Sequence, residues 1–269
     1  MKLLVTAMSK EHIDYLLKKD IGGIIIYIDN LSVNGKCYFN IDIINQFDFS
    51  NKEIYICLNK IMHNNDLDNL RNVLEKIKNK NVKILFYDMA VYNISKELGI
   101  VDKLVIYQDH LNASISSNKF YYDLGIRESF ITNDITYQEL MEIKKNTKMK
   151  IMFLGYGYQP IFYSRRYLVS NYLKYIDSDK GKEYNIVSDT GSVYPIEEEQ
   201  NRGTTIYTKK PINLINYLDD LDSIDYIVLN GVNMDEEKLN NMLDKFIARD
   251  KIDKPYLGFF KIKTVYKVK

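Results

Sequence analysis

The sequence predicts a (β/α)8, TIM-barrel-like α/β fold with a small antiparallel β insertion between strands seven and eight. Three observations carry this. Short apolar runs alternate with helix-period stretches, the sequence form of repeated βα units. Eight of those runs are almost continuously apolar, as strands are when helices cover a parallel sheet. Between the seventh and eighth runs the period changes to short alternating segments set off by turn residues. An open doubly wound sheet gives a similar pattern, so closure into a barrel is an expectation.

Lys2–Val5 reads as the first strand, and Ser9 caps a helix whose Ile13, Leu16 and Leu17 share one face. Gly23–Ile28 is the second strand, followed by a weak helix around Ile41–Phe47. Ile54–Leu58 is the third. The helix after it carries Leu67, Leu70, Leu74 and Ile77 on one face. Val82–Phe86 and Leu104–Tyr107 are the fourth and fifth strands, with a helix at Val91–Leu98 between them. Ser117–Leu124 is helical and Ser129–Ile131 is the sixth strand. Thr136 and Glu139 form a capping box for the next helix, which leads to the seventh strand, Lys150–Leu154. Tyr226–Leu229 is the eighth, and Asn233 caps a last helix packing Leu239, Met242, Phe246 and Ile247. Tyr184–Val187, Val193–Ile196 and Thr204–Tyr207 read as antiparallel strands, separated by turns at Asp189-Thr190-Gly191 and Asn201-Arg202-Gly203. They place the insertion at about 176–210 of a single domain spanning 1–269.

Composition agrees with a folded α/β chain. Of 269 residues, 46% are hydrophobic and 27% charged, which excludes a disordered polyelectrolyte. With 37 Lys+Arg against 36 Asp+Glu, the net charge of +1 argues against a polycationic nucleic-acid-packaging role. Gly 12 and Pro 4 predict short, regular loops. The abundant Tyr, Asn, Lys and Ile fit an AT-rich genome and carry little functional weight. Two cysteines, Cys37 and Cys57, supply neither a disulfide scaffold nor a four-thiolate site. The longest apolar stretch, around Ile21–Ile28, falls far short of the roughly 18 residues that span a bilayer. Met1–Ser9 has the form of a first strand, not a signal peptide, so a cytoplasmic location with no membrane partner is expected.

In a (β/α)8 barrel the chemistry sits on the loops after the strands. That singles out Asn59, Asp88, Gln108–Asn112, Asn133, Asp134, Gly155–Arg166 and Asn230. No metal-ligand spacing is present, since His12, His63 and His110 are isolated. His12, in the first turn of a helix, reads as a solvent or capping residue. His63 lies in a loop, and His110 is the best placed for acid–base work. A Gly-x-Ser-x-Gly elbow is absent, and Gly155-Tyr156-Gly157 lacks the rest of a phosphate loop. Cys57 reads as a small buried hydrophobe. The densest polar constellation runs from Gly155 to Tyr172, where Arg165 and Arg166 stand among five tyrosines. That mixture suits a phosphate, a carboxylate or an unstacked base, and equally a helix start packing its rings on the barrel.

Tyr163-Ser164-Arg165-Arg166-Tyr167-Leu168-Val169-Ser170 resembles the signature of peptidase family U32, Tyr-Ser-Gly-Arg-Cys-x-Leu-Ser. Leu58-Asn59 resembles that family's Leu-Asn after strand three, and Ile131-Thr-Asn-Asp-Ile-Thr136 its Leu-x-Arg-Glu-Leu-Ser. Tyr194-Pro-Ile196 and Gly203-Thr-Thr-Ile206 resemble its Tyr-Pro-Ile and Gly-Thr-x-Ile blocks. The closing Gly258-Phe-Phe-Lys-Ile-Lys-Thr-Val-Tyr-Lys267 is similar to short bacterial members that act beside a longer paralogue. The resemblance implies a TIM-like barrel and one of two activities. One is a collagenase-like protease, a hydrolase of unknown catalytic type. The other is oxygen-independent tRNA wobble-uridine hydroxylation, using a prephenate-derived oxygen source and an iron–sulfur cluster on four cysteines.

The chain departs from that pattern in three places. Pro160 and Tyr167 stand where two cluster cysteines fall in the family. Arg-Glu has become Asn133-Asp134, and Lys-Ile-Glu-Gly-Arg has become Val228-Leu-Asn-Gly-Val232. Without the cysteines no cofactor is expected in this chain, and the oxygen source would come through a partner. The leading expectation is an accessory subunit in tRNA hydroxylation. It would work with a longer family paralogue and bind tRNA, with lysines 174, 180, 182, 209 and 210 meeting phosphates. A peptidase and a non-catalytic binding or scaffold member are the alternatives. Candidate catalytic residues are Asp88, His110, Asp134, Tyr163 and Ser164. Asn59, Asn133, Arg165, Arg166 and Tyr167 are candidate substrate contacts, and no metal ligand is expected.

Overall fold

The computed structural model describes residues 1–49, 51–179, 181 and 184–262. In chain order the strands β1 (Lys2–Thr6), β2 (Gly23–Tyr27), β3 (Glu53–Leu58), β4 (Lys83–Phe86), β5 (Leu104–Ile106) and β6 (Glu128–Ile131) pair side by side and parallel. β7 (Lys150–Gly157) follows β6. The chain then makes a separate antiparallel sheet from β8 (Pro160–Ser164), β9 (Tyr184–Val187), β10 (Val193–Glu199) and β11 (Gly203–Tyr207), in the order β8-β11-β10-β9. A two-residue strand, β12 (Ile212–Asn213), runs antiparallel to the end of β7. β13 (Tyr226–Leu229) lies between β7 and β1, so β1–β7 and β13 close an eight-strand parallel barrel. The closed barrel, not the open sheet, is what the eight apolar runs encode.

Around it stand α1 (Lys10–Leu17), α2 (Leu67–Ile77), α3 (Met89–Glu97), α4 (Ile115–Asp123), α5 (Tyr137–Asn146) and α7 (Glu236–Ala248), while α6 (Leu168–Tyr175) belongs to the antiparallel sheet. Two of the three predicted caps form. Ser9 accepts the His12 amide, and Thr136 and Glu139 make a reciprocal capping box. No helix among the described residues is long and apolar enough to cross a membrane.

Four details differ from the sequence reading. The antiparallel sheet begins at Pro160, before the predicted insertion at 176–210, and residues 180, 182 and 183 of that insertion lie outside the described residues. β8 was hidden because its Ile161 and Phe162 are exposed beside buried Tyr163, which blurs the alternation that marks a strand. The stretch at Ile41–Asn45 is a 3-10 helix. Asp235, not Asn233, caps α7, because Asn233, two residues earlier, takes a left-handed φ of 56°. His12 is fully buried: Nδ1 accepts the Met8 amide at 3.1 Å, and Nε2 meets Asn240 Oδ1 at 2.9 Å. This ring joins the first helix to the last, and burial lowers its pKa.

The N-terminal rim of the barrel is closed by charge. Lys83 Nζ donates to Glu53 (2.8 Å), Glu128 (2.6 Å) and the Tyr55 and Tyr226 hydroxyls (3.2 Å each). Lys2 reaches the other oxygen of Glu53 at 2.5 Å. Burial opposes the charge on Glu53, but hydrogen bonds from Lys2, Lys83 and Tyr55 hold its carboxyl down at about 2. The carboxylates of Glu53 and Glu128 keep the Lys83 ammonium charged against the same burial.

Two outcomes follow. Lys83→Met leaves two carboxylates in a closed rim and costs about 3 kcal/mol in urea unfolding. His12 binds a proton less readily folded than unfolded, so stability falls as pH drops below about 6.5, and His12→Gln flattens that part of the Tm–pH curve.

Candidate functional site

At the C-terminal rim the polar residues fall into two groups. The first links loops to one another. Asn59 accepts the Val33 amide (2.9 Å) and donates to the Val33 carbonyl (3.0 Å), tying the ends of β2 and β3. Asp88 caps α3 through the Ala90 amide (2.8 Å) and accepts the Met62 amide (3.0 Å). Asn133 donates to the Leu154 carbonyl at 2.9 Å, while its Oδ1 is buried without a partner. These three predicted site residues hold the rim in shape.

The second group gathers around His110. Its Nδ1 lies 3.2 Å from Asp109 Oδ1, and its ring stacks on Tyr87 at 5.7 Å and 20°. Tyr87 in turn meets Tyr163 edge-on at 6.4 Å, so three rings stand in a row. Asp134 lies close enough to His110 and Asp109 to feel both charges. One edge of Asp134 reaches solvent, yet burial of the rest pushes its pKa up, with Asp109 adding and Thr132 and His110 opposing. Gln159, 2% exposed, donates to Thr132 Oγ1 (2.9 Å) and the Asp109 carbonyl (3.3 Å), and its Oε1 is buried and unpartnered. The structure thus brings His110 and Asp134 together, with Tyr163 one ring further out. Ser164 is elsewhere, its hydroxyl accepting the Arg166 amide at 3.2 Å. Among the described residues no hydroxyl or thiol is hydrogen-bonded to His110, so a nucleophile–base pair is not assembled here.

The two arginines separate. Arg165 donates to the Ile61 carbonyl (2.7 Å) and to Asp66 (2.9 Å), and Asp66 also takes Lys60 at 2.7 Å. Lys60 is 1% exposed, and burial lowers its pKa in spite of Asp66. Arg202 makes the matching clasp on the other side, bonded to Asp29 at 2.6 Å and lying 3.6 Å over the Tyr38 ring. Gly203 follows at a φ of +100°, where a Cβ would sit 2.1 Å from the Ser164 carbonyl, so only glycine lets β11 meet β8 here. Arg166 and Tyr167 face outward. The Tyr167 hydroxyl accepts the Asn201 amide at 2.9 Å. Lys60, Asp66 and Arg202 were invisible in sequence because the pairing depends on where the small sheet lands.

That sheet and the β13–α7 loop enclose a cavity of about 1070 Å³. Among the described residues, Glu197, Glu198, Glu199, Asp235 and Glu236 line it against one cation, Lys36. The negative lining discourages a phosphate backbone at this place.

A thiolate-held cluster does not fit this chain. Pro160 is part of β8, and the Tyr167 hydroxyl is bonded within the small sheet. Cys57 is buried inside the barrel, where burial and Asp109 push its thiol up, and Cys37 lies half-buried on the β2 loop. Among the described residues no three His, Cys, Asp or Glu side chains are grouped to hold a metal ion.

The model of peptidase family U32 matches residues 41–254. The chain is 24% identical over 205 residues to tRNA hydroxylation protein P2 of Bacillus subtilis, covering 71% of this chain and 66% of that protein. It is 22% identical over 153 residues to the uncharacterized protease MJ0090 of Methanocaldococcus jannaschii, covering 54% and 37%. The chain therefore spans less than two thirds of either relative. Among solved structures, the U32 peptidase Mk0906 superposes with a TM-score of 0.55 at 10% identity, over 85% of this chain and 92% of that one, a likeness of fold.

If Arg165 and Arg202 clasp the small sheet to the barrel, Arg165→Met loosens it. The expected result is a loss of about 1–2 kcal/mol and faster limited proteolysis within 160–207, with the barrel spared.

Proposed function

The chain belongs to peptidase family U32, and from that premise we propose that it is an accessory, RNA-binding component of a tRNA wobble-uridine hydroxylating system. Chemistry requiring a cluster would come from a longer family member acting as its partner. The likeness to tRNA hydroxylation protein P2 over 71% of the chain supports this reading.

The observation that carries it is the outer face of α6. Tyr172 and Tyr175, three residues apart and so on one side of the helix, are 61% and 87% exposed. Exposed Lys174 stands between them in sequence, and exposed Arg166 and Tyr167 precede the helix. Neither Arg166 nor Lys174 spends its side-chain charge on an ion pair among the described residues. Exposed rings beside free cations form a platform for unstacked bases, with the cations meeting phosphates. Lys209 and Lys210 are exposed as well, whereas Lys180 and Lys182 lie outside the described residues. A peptidase would need a nucleophile or activated water at the rim. The lone His110–Asp109 pair favours the RNA reading over that one.

The test is nucleoside mass spectrometry of total tRNA from cells with and without this gene, alongside tRNA binding by the purified chain. Hydroxylated wobble uridine and its derivatives are expected to disappear on deletion. Arg166→Ala should lower the salt slope of binding by about one, and Tyr175→Ala should weaken binding by about ten-fold or more. An unchanged nucleoside profile, with no paralogue covering the loss, removes the reading.

A further inference from the structure

The cavity of about 1070 Å³ touches α6 at Val169 and Ser170, while the exposed Tyr172, Lys174 and Tyr175 of the platform do not line it and give it no role. One wall is the edge strand β9, beyond which the sheet has no further strand among the described residues. The ladder fixes which of its backbone groups are free. The Ser188 amide donates to the Ser192 carbonyl at 2.9 Å, and from there paired residues alternate between bonded and non-bonded positions. Ile186 opposite Tyr194 and Tyr184 opposite Ile196 are the bonded pairs. Val187 and Asn185 are the others, and Asn185 faces Pro195, which has no N–H to give. Asn185 therefore turns its N–H and C=O outward, and Asn185 lines the cavity.

The charge of the cavity is equally specific. Four of its five acids are committed. Glu198 caps α6 through the Val169 and Ser170 amides, and Asp235 caps α7. Glu236 accepts Ser9, and Glu199 lies 3.4 Å from Arg202. Glu197 takes only the Tyr207 hydroxyl, at 3.2 Å, with Lys36 near enough to feel. Two further lining groups, the Tyr184 hydroxyl and the Asn233 amide nitrogen, are buried and have no hydrogen-bond partner among the described residues.

We propose that this cleft binds an extended, basic peptide segment of a partner protein, which adds a strand beside β9 and places a lysine or arginine against Glu197. An open strand edge supplies main-chain hydrogen bonds, and the acidic wall selects the side chain. Burial and neighbouring Glu199 raise the Glu197 pKa, a strain that an incoming cation relieves. The cleft and the α6 face thus serve different ligands, peptide and RNA.

The probe is a fluorescein-labelled peptide of alternating Lys and Val, followed by anisotropy with the full chain. Saturable, salt-sensitive binding is expected, with the Glu–Val counterpart inert. Glu197→Gln should weaken it by about ten-fold, since a charged hydrogen bond is lost. N-methylation of alternate peptide amides should abolish binding in one phase and be tolerated in the other. Excess tRNA should leave the peptide bound. No binding overturns the proposal, as does binding indifferent to both Glu197→Gln and N-methylation phase. Displacement of the peptide by tRNA would assign the cleft to RNA instead.

Discussion

Eight parallel strands close only if something fills both ends of the tube, and here the N-terminal end is filled by the Lys83 ammonium. Glu53 and Tyr55 of β3, Glu128 of β6 and Tyr226 of β13 converge on that one group, which β4 supplies, so four strands meet there. Each strand thereby has its register set against three others by charge as well as by apolar packing. With one rim locked, the other is free to carry polar residues that the core does not need. Asn59, Asp88 and Asn133 then keep its loops in place, and His110, Asp134 and Gln159 remain for chemistry or recognition.

The small antiparallel sheet is a second layer built on that rim. It is held by two arginine clasps, Arg165 on Asp66 and Arg202 on Asp29, each anchored to a loop that follows a barrel strand. This arrangement explains why the signature segment that includes Arg165 does not present both its arginines to a ligand. One is a strut and the other an outward charge. The small sheet and its helix carry opposite characters at different places, cationic and aromatic on the exposed part of α6, acidic in the cleft beside β9. A protein that joins an RNA to a protein partner needs two such surfaces that do not compete.

The barrel was legible because its strands are buried on both faces, so Ile24–Ile26 or Ile54–Leu58 cannot be mistaken for anything solvent-exposed. Caps such as Ser9 and Thr136 were legible because they act within three residues of themselves. What escaped were relations across the chain. His12 looked like a helix-start residue on the surface, yet Asn240, far away in sequence, buries it. β8 reads as a loop in sequence because its exposed Ile161 and Phe162 stand beside buried Tyr163 and break the alternation of a strand, a burial that only the meeting with β11 and the barrel decides. The acidic cleft gives no local signal at all, since Glu197 and Asp235 meet only when the sheet folds back over β13. The signature region drew attention to the right part of the chain while leaving the division of labour between its side chains to the tertiary structure.

The pairing of Lys2 with Tyr226 joins two strands that lie far apart in sequence. A ribosome delivers β1 long before β13, so the nascent chain carries an apolar strand with one bare edge throughout most of synthesis. β7 waits in the same way on its β13 side. During that interval the growing protein is a half-open sheet, and the last helix does double duty. α7 brings Asn240 to His12 as β13 slots in, so the arrival of the final quarter of the chain ends the exposure in one step. The strand order thus makes the closing of the barrel, and the covering of both bare edges, a single late event.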